Sequence, residues 1–201
     1  MEQVRSFIAV ELPTEVKDRL VALQRELELT GARVRWASAE TLHLTLKFLG
    51  DVERVQLVEV ARAVEEVAAG WSAWEVELVG LGWFPPKGKP RVVWAGVGVG
   101  RESVVELAEA VDRALESLGF SRERRRFHPH VTLGRVRSTG DVSALVAALR
   151  SGADRQFGAF EVDGVTTFES ELRPEGPVHT VVATAWAGGG RRPERGGGGG
   201  T

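Results

Sequence analysis

Short apolar runs and stretches of helical spacing follow one another from the first residues. Phe7 to Val10 is an apolar run that stops at Pro13 and predicts a strand. Thr14, Asp18, Leu20, Leu23 and Leu27 then space a capped amphipathic helix ending near Gly31. Val34 to Trp36 predicts a brief strand. Leu42 to Leu49 alternates, with Leu42, Leu44, Leu46 and Phe48 on one parity and His43, Thr45 and Lys47 on the other. Val55, Val58, Ala61, Val64 and Val67 predict a helix within 51–69, closed by Gly70. Trp74 to Leu81 and Arg91 to Val99 read as strands on either side of a Pro/Gly/Lys loop at 84–90. A third helix is expected over 102–118, a second alternating strand over 128–136 and a short helix over 141–150. Three last strands within 157–186 are separated by Asp163-Gly164 and by Pro174-Glu175-Gly176-Pro177.

Several of these strands are joined by short turns rather than by helices, which favours an antiparallel α+β arrangement over a doubly wound parallel sheet. A chain of 201 residues fits one domain or two packed lobes, expected over 1–186, and the Gly/Arg-rich stretch 187–201 reads as a flexible tail. Hydrophobic residues at 43% and charged residues at 27% are ordinary for a folded chain. The formal net charge of -2 supplies no global attraction for nucleic acid, so a polyanion would have to meet a local basic patch. The absence of cysteine excludes disulfides and thiolate chemistry, and the N-terminal apolar stretch, broken by Arg5 and Glu11, is too short for a signal or spanning segment. A cytoplasmic protein with no membrane association is the expectation.

The chemistry lies in a near-repeat. Leu42-His43-Leu44-Thr45-Leu46-Lys47-Phe48 and Pro129-His130-Val131-Thr132-Leu133-Gly134-Arg135 both read His, apolar, Thr, Leu. In a strand the period of two puts His and Thr on one face while the apolar residues anchor the other. Two such strands facing one another would hold a phosphate between two imidazoles, one able to take a proton from water and the other able to give one to a leaving alcohol. The hydroxyls of Thr45 and Thr132 would donate to non-bridging phosphate oxygens.

These paired motifs resemble the two-histidine (2H) phosphoesterase superfamily. Within it they are similar to the RNA 2′,3′-cyclic phosphodiesterases, also called 2′-5′ RNA ligases. Further stretches carrying the resemblance are Val4-Arg5-Ser6-Phe7-Ile8-Ala9-Val10 and Arg91-Val92-Val93-Trp94-Ala95-Gly96-Val97. The resemblance implies a two-lobed pseudo-symmetric fold, with two antiparallel sheets facing a central cleft and helices outside. It implies hydrolysis of a terminal 2′,3′-cyclic phosphate to a 2′-phosphomonoester, with weak reverse 2′-5′ ligation. His43 would protonate the leaving 3′-oxygen and His130 would activate water, without cofactor or metal. The implied partner is RNA with a cyclic-phosphate end, and the chain is expected to act as a monomer without a protein partner.

The resemblance also implies that Phe48 and Arg135 bracket a nucleobase, whereas unbroken strand parity puts Phe48 in the core. Gly134 would let the strand bend and free Arg135. Arg122, Arg124, Arg125 and Arg126 either steer RNA or form a solvated loop, and Arg191, Arg192 and Arg195 could add loose RNA affinity, with an inert terminus the preferred reading. His128-Pro129-His130 also reads as a metal pair that His43 or His179 would complete, but no ligating carboxylate pattern accompanies it, and His179 otherwise reads as a strand or surface residue. Two other functions remain open: an RNA-end-binding module with little turnover, and a 2H phosphodiesterase acting on a small cyclic nucleotide.

Overall fold

The structure, a computed structural model, describes residues 2–137, 140–174 and 176–190. Its strands are β1 (Gln3–Glu11), β2 (Val34–Trp36), β3 (His43–Glu53), β4 (Trp74–Phe84), β5 (Val92–Val97), β6 (His130–Val136), β7 (Gln156–Val162), β8 (Gly164–Leu172) and β9 (Pro177–Trp186). Its α-helices are α1 (Thr14–Glu28), α2 (Leu57–Ala69), α3 (Arg101–Glu116) and α4 (Ser143–Ser151). The chain is therefore mixed α and β, and every strand pairing among the described residues is antiparallel.

The strand order β7-β4-β5-β6-β3-β1-β8-β9 divides at the centre into two four-stranded halves. The two expected sheets are these halves. They are joined where Leu44 of β3 pairs with Val131 of β6, and β2 continues along β6 beyond that point. Helices α1 and α4 pack behind β7 and β4, while α2 and α3 pack behind β8, β9 and β3. One face of the sheet thus sends Ile8, Val10, Leu44, Leu46, Leu78, Val93, Val131 and Leu133 into a single core with Leu20, Leu23, Val60, Val64, Leu107, Leu115, Leu145 and Leu149 of the helices. Each such side chain contributes roughly 1.5–3 kcal/mol on removal from water. Among the described residues the α-helices pack on that face, and the opposite face carries the motif histidines.

Several element boundaries differ from the sequence reading, three of them instructively. Thr14 is the first residue of α1 rather than its cap; Pro13 holds the cap position, and its carbonyl accepts from the Val16 and Lys17 N–H groups at 3.1 Å. Helix α2 starts at Leu57 because β3 runs on to Glu53 and a 3-10 turn follows. Strand β4 extends to Phe84. The stretch read as a tail keeps backbone order at its start, where Ala187 N–H donates to Asp163 O and Gly188 N–H to Trp71 O. Arg191, Arg192 and Arg195 lie outside the described residues.

A β-bulge decides the faces of β3. Ala9 pairs with Thr45 and the next residue of β1, Ile8, pairs with Lys47, which leaves Leu46 as the extra residue. Lys47 is therefore turned to the helix side and buried, donating to the Asp112 carboxylate of α3 and to the Ser121 carbonyl at 2.9 Å. Phe48 is turned the other way, opposite Phe7 and 68% exposed. This corrects the parity reading, which grouped Lys47 with His43 and put Phe48 in the core.

Strand β6 repeats the device. Trp94 pairs with Thr132 and Val93 with Gly134, so Leu133 is the extra residue and Arg135 returns to the histidine face. Gly134 is required there, because a Cβ would stand 2.7 Å from Val34 Cγ1 and 2.8 Å from Trp36 Cε3.

Candidate active site

Leu44 and Val131 point into the core at the join between the halves, so their neighbours in each strand occupy the other face. Continuing the antiparallel register by one residue sets His43 opposite Thr132 and Thr45 opposite His130. In that continued register imidazoles would occupy one diagonal of a square and hydroxyls the other, with a Cα diagonal of about 7–8 Å in a regular ladder. A pseudo-twofold axis through the Leu44–Val131 pair exchanges the motifs.

The two rings are held alike. His43 Nδ1 lies 2.8 Å from the Thr41 carbonyl and His130 Nδ1 lies 2.7 Å from the His128 carbonyl, two residues upstream in each case. A carbonyl only accepts, so Nδ1 carries the hydrogen and Nε2 is left to gain or lose a proton. Aromatic rings fix the planes: Phe7 stacks on His43 at 4.6 Å with Phe168 behind it, and Phe84 meets His130 edge-on at 5.1 Å. Trp94 lies 5.0 Å from the His128 ring and 6.3 Å from that of His130.

The LigT-like phosphoesterase pattern matches residues 10–94 and 97–179, and each matched segment contains one of the two motifs. The chain belongs to that family. It is 36% identical over 164 residues to an RNA 2′,3′-cyclic phosphodiesterase of Aeropyrum pernix, covering 82% of this chain and 92% of the relative. A second protein of that name, from Methanothermobacter thermautotrophicus, is 33% identical over 178 residues, covering 89% and 96%. A Thermus thermophilus protein of known crystal structure superposes with a TM-score of 0.78 at 29% identity, covering 93% of this chain and 100% of the other. E. coli LigT has the same fold, with a TM-score of 0.74 at 23% identity, covering 93% and 99%.

This LigT-like site contains more imidazole than its repeated motif announces. His179 of β9 stands 5.4 Å from His43, ring to ring, and 4.8 Å from Phe7, with no hydrogen-bond partner for its buried Nδ1 among the described residues. No local pattern marked it, since only the long-range pairing of β1 with β8 and β8 with β9 brings it to the cleft. Burial, then the charge of His179, push the His43 ring down to about 4, against the pull of the Thr41 carbonyl. His130 is also lowered by burial, with the His128 carbonyl opposing. Both rings are consequently neutral near pH 7 in the free protein.

The structure separates the remaining candidates. Phe48 and Arg135 share the histidine face. In the basic run, Arg122 lies 3.5 Å from Asp112 on the helix side, and Arg124, Arg125 and Arg126 are exposed in the loop before β6. His128 packs on Trp94 while its carbonyl serves His130. Among the described residues no three His, Cys, Asp or Glu side chains are grouped to hold a metal ion, and no helix is long and apolar enough to cross a membrane.

Proposed function

We propose that this chain hydrolyses the 2′,3′-cyclic phosphate at an RNA 3′ end to a 2′-phosphomonoester, by acid-base catalysis between His43 and His130. The carrying observation is the matched pair of imidazoles, each with Nδ1 tied to a carbonyl two residues upstream, on two motif strands that pair through Leu44 and Val131. In the reaction His130 Nε2 takes a proton from water as its oxygen attacks phosphorus. The P–O3′ bond breaks, and His43 Nε2–H delivers a proton to O3′. Thr45 and Thr132 donate to the non-bridging oxygens, and Phe48 and Arg135 hold the terminal nucleobase. Both histidines come from one chain, so a monomer suffices, and the cytoplasm, where RNA ends arise, is the expected setting. With a 5′-hydroxyl in place of water and the two roles unchanged, the same ring opening would join the cyclic-phosphate end to it through a 2′-5′ bond.

Incubating the protein with a short RNA bearing a 2′,3′-cyclic phosphate, with and without chelator, tests this reading. The expected product is a 2′-phosphate end, formed equally in both arms. A 3′-phosphate product would overturn the assignment of the leaving oxygen, and loss of turnover on chelation would overturn the two-histidine mechanism.

The acid must be charged, yet His43 is pushed down to about 4 in the free protein. A phosphodiester monoanion about 4 Å away supplies about 4 kcal/mol at an effective dielectric of 20, enough to return the ring to the physiological range. Substrate binding therefore protonates the donor. The expected consequence is a split between two pH profiles: kcat/KM, which reports the free enzyme, peaks on the acid side of the ordinary histidine value, and kcat peaks at higher pH. Superimposed profiles would contradict this coupling.

A further inference from the structure

A second charged feature lies on the histidine face, next to the square. Strand β2 extends the sheet where β3 leaves off, pairing Val34 with Val136, Arg35 with Arg135 and Trp36 with Gly134. Val34 and Trp36 pack into the core, so Arg35 and Arg135, on the opposite parity, stand directly across from one another on the cleft side. The next rung repeats the arrangement: Arg137 N–H donates to the Arg33 carbonyl at 2.7 Å, and these residues share the parity of Arg35 and Arg135. All four arginines are exposed.

Like charges directly opposite on a sheet repel and weaken the pairing. Here two successive rungs do so in a chain whose net charge is -2. Among the described residues none of the four guanidinium groups is in an ion pair. The side-chain hydrogen bond made by Arg35 is from Nη2 to the Pro174 carbonyl at 3.4 Å, from the turn between β8 and β9 of the other half. Among the described residues the ladder is thus an uncompensated positive stripe that begins where Thr132 ends. Its rungs are two residues, about 7 Å, apart. That spacing suits successive phosphates of an extended single strand. A cyclic phosphate terminates an RNA chain at its 3′ end, so every other phosphate of the substrate must leave the square on the 5′ side.

We propose that Arg33, Arg35 and Arg137, continuing from Arg135, form a track for the two phosphodiesters immediately 5′ of the terminal nucleotide. The track rests on the cyclic-phosphate reading of the square and makes the substrate an RNA strand rather than a small cyclic nucleotide. It carries no sequence preference, since it reads backbone charge alone.

The test compares a nucleoside 2′,3′-cyclic phosphate with a trinucleotide ending in the same group, for the wild type and for the double variant Arg33→Gln/Arg137→Gln. The wild type is expected to prefer the trinucleotide by about tenfold in kcat/KM at low salt. That advantage fades as salt rises, with a log-log slope of about 0.7 for each phosphate contact. The variant should lose most of the trinucleotide advantage and its salt slope, with the mononucleotide rate within about twofold of wild type. Equal rates for both substrates in the wild type, or equal losses on both in the variant, would overturn the track. Anisotropy of a labelled trinucleotide ending in a 2′-phosphate separates the two readings. If no cyclic end is opened at all, the hydrolytic function falls, and the track stands only if the variant still binds this RNA about tenfold more weakly.

Discussion

Replacing His43 or His130 by alanine is expected to lower kcat on a cyclic-phosphate substrate by about a hundred- to ten-thousand-fold, the usual worth of a positioned proton donor or acceptor. Removing both should cost little more than removing one, because the rings act on a single transition state and their effects do not add. Folding should survive either change. Each ring is only part-buried, and the stack of Phe7 on His43 is worth about 0.5–1.5 kcal/mol beyond its area. Steady-state kinetics paired with thermal unfolding checks both halves of the expectation. Near-normal turnover in either folded variant would remove that histidine from the mechanism.

The square was legible because its signal is local: His and Thr two residues apart need only an extended strand to share a face, and duplication supplied the partner. The antiparallel class and the main elements were legible for the same reason, through apolar period and turn residues. What the alternation rule could not carry was an irregularity. Phe48 and Lys47 were assigned to the wrong faces because Leu46 is the unpaired extra residue, and a bulge is created by the partner strand, not by the sequence around it. Arg135 escaped that error only because Gly134 hinted at a bend. His179 and the Arg33–Arg137 rung depend on pairings between segments more than a hundred residues apart along the chain, which no local pattern encodes.

Asp112→Ala is expected to destabilise the fold by about 3–5 kcal/mol, because among the described residues it leaves the Lys47 ammonium buried with only the Ser121 carbonyl to face. The carboxylate also accepts from Glu123 N–H at 3.2 Å and lies 3.5 Å from Arg122 Nε, so one side chain ties α3 to β3 and to the loop leading into the second motif. For a chain of this size that loss lowers Tm by roughly 10 °C. The companion double variant, Lys47→Met with Asp112→Leu, should recover much of the stability, since an apolar pair has no desolvation cost to offset. Urea unfolding of the three proteins decides it, and a loss below about 1 kcal/mol for Asp112→Ala would show that the pair is not a structural tie. A kinetic signature should accompany the stability change. Lys47 turning back toward α3 is what turns Phe48 forward onto the histidine face, so loosening the tie is expected to raise KM for a cyclic-phosphate substrate more than it lowers kcat. His43 and Thr45 precede the bulge and keep their pairing with β1.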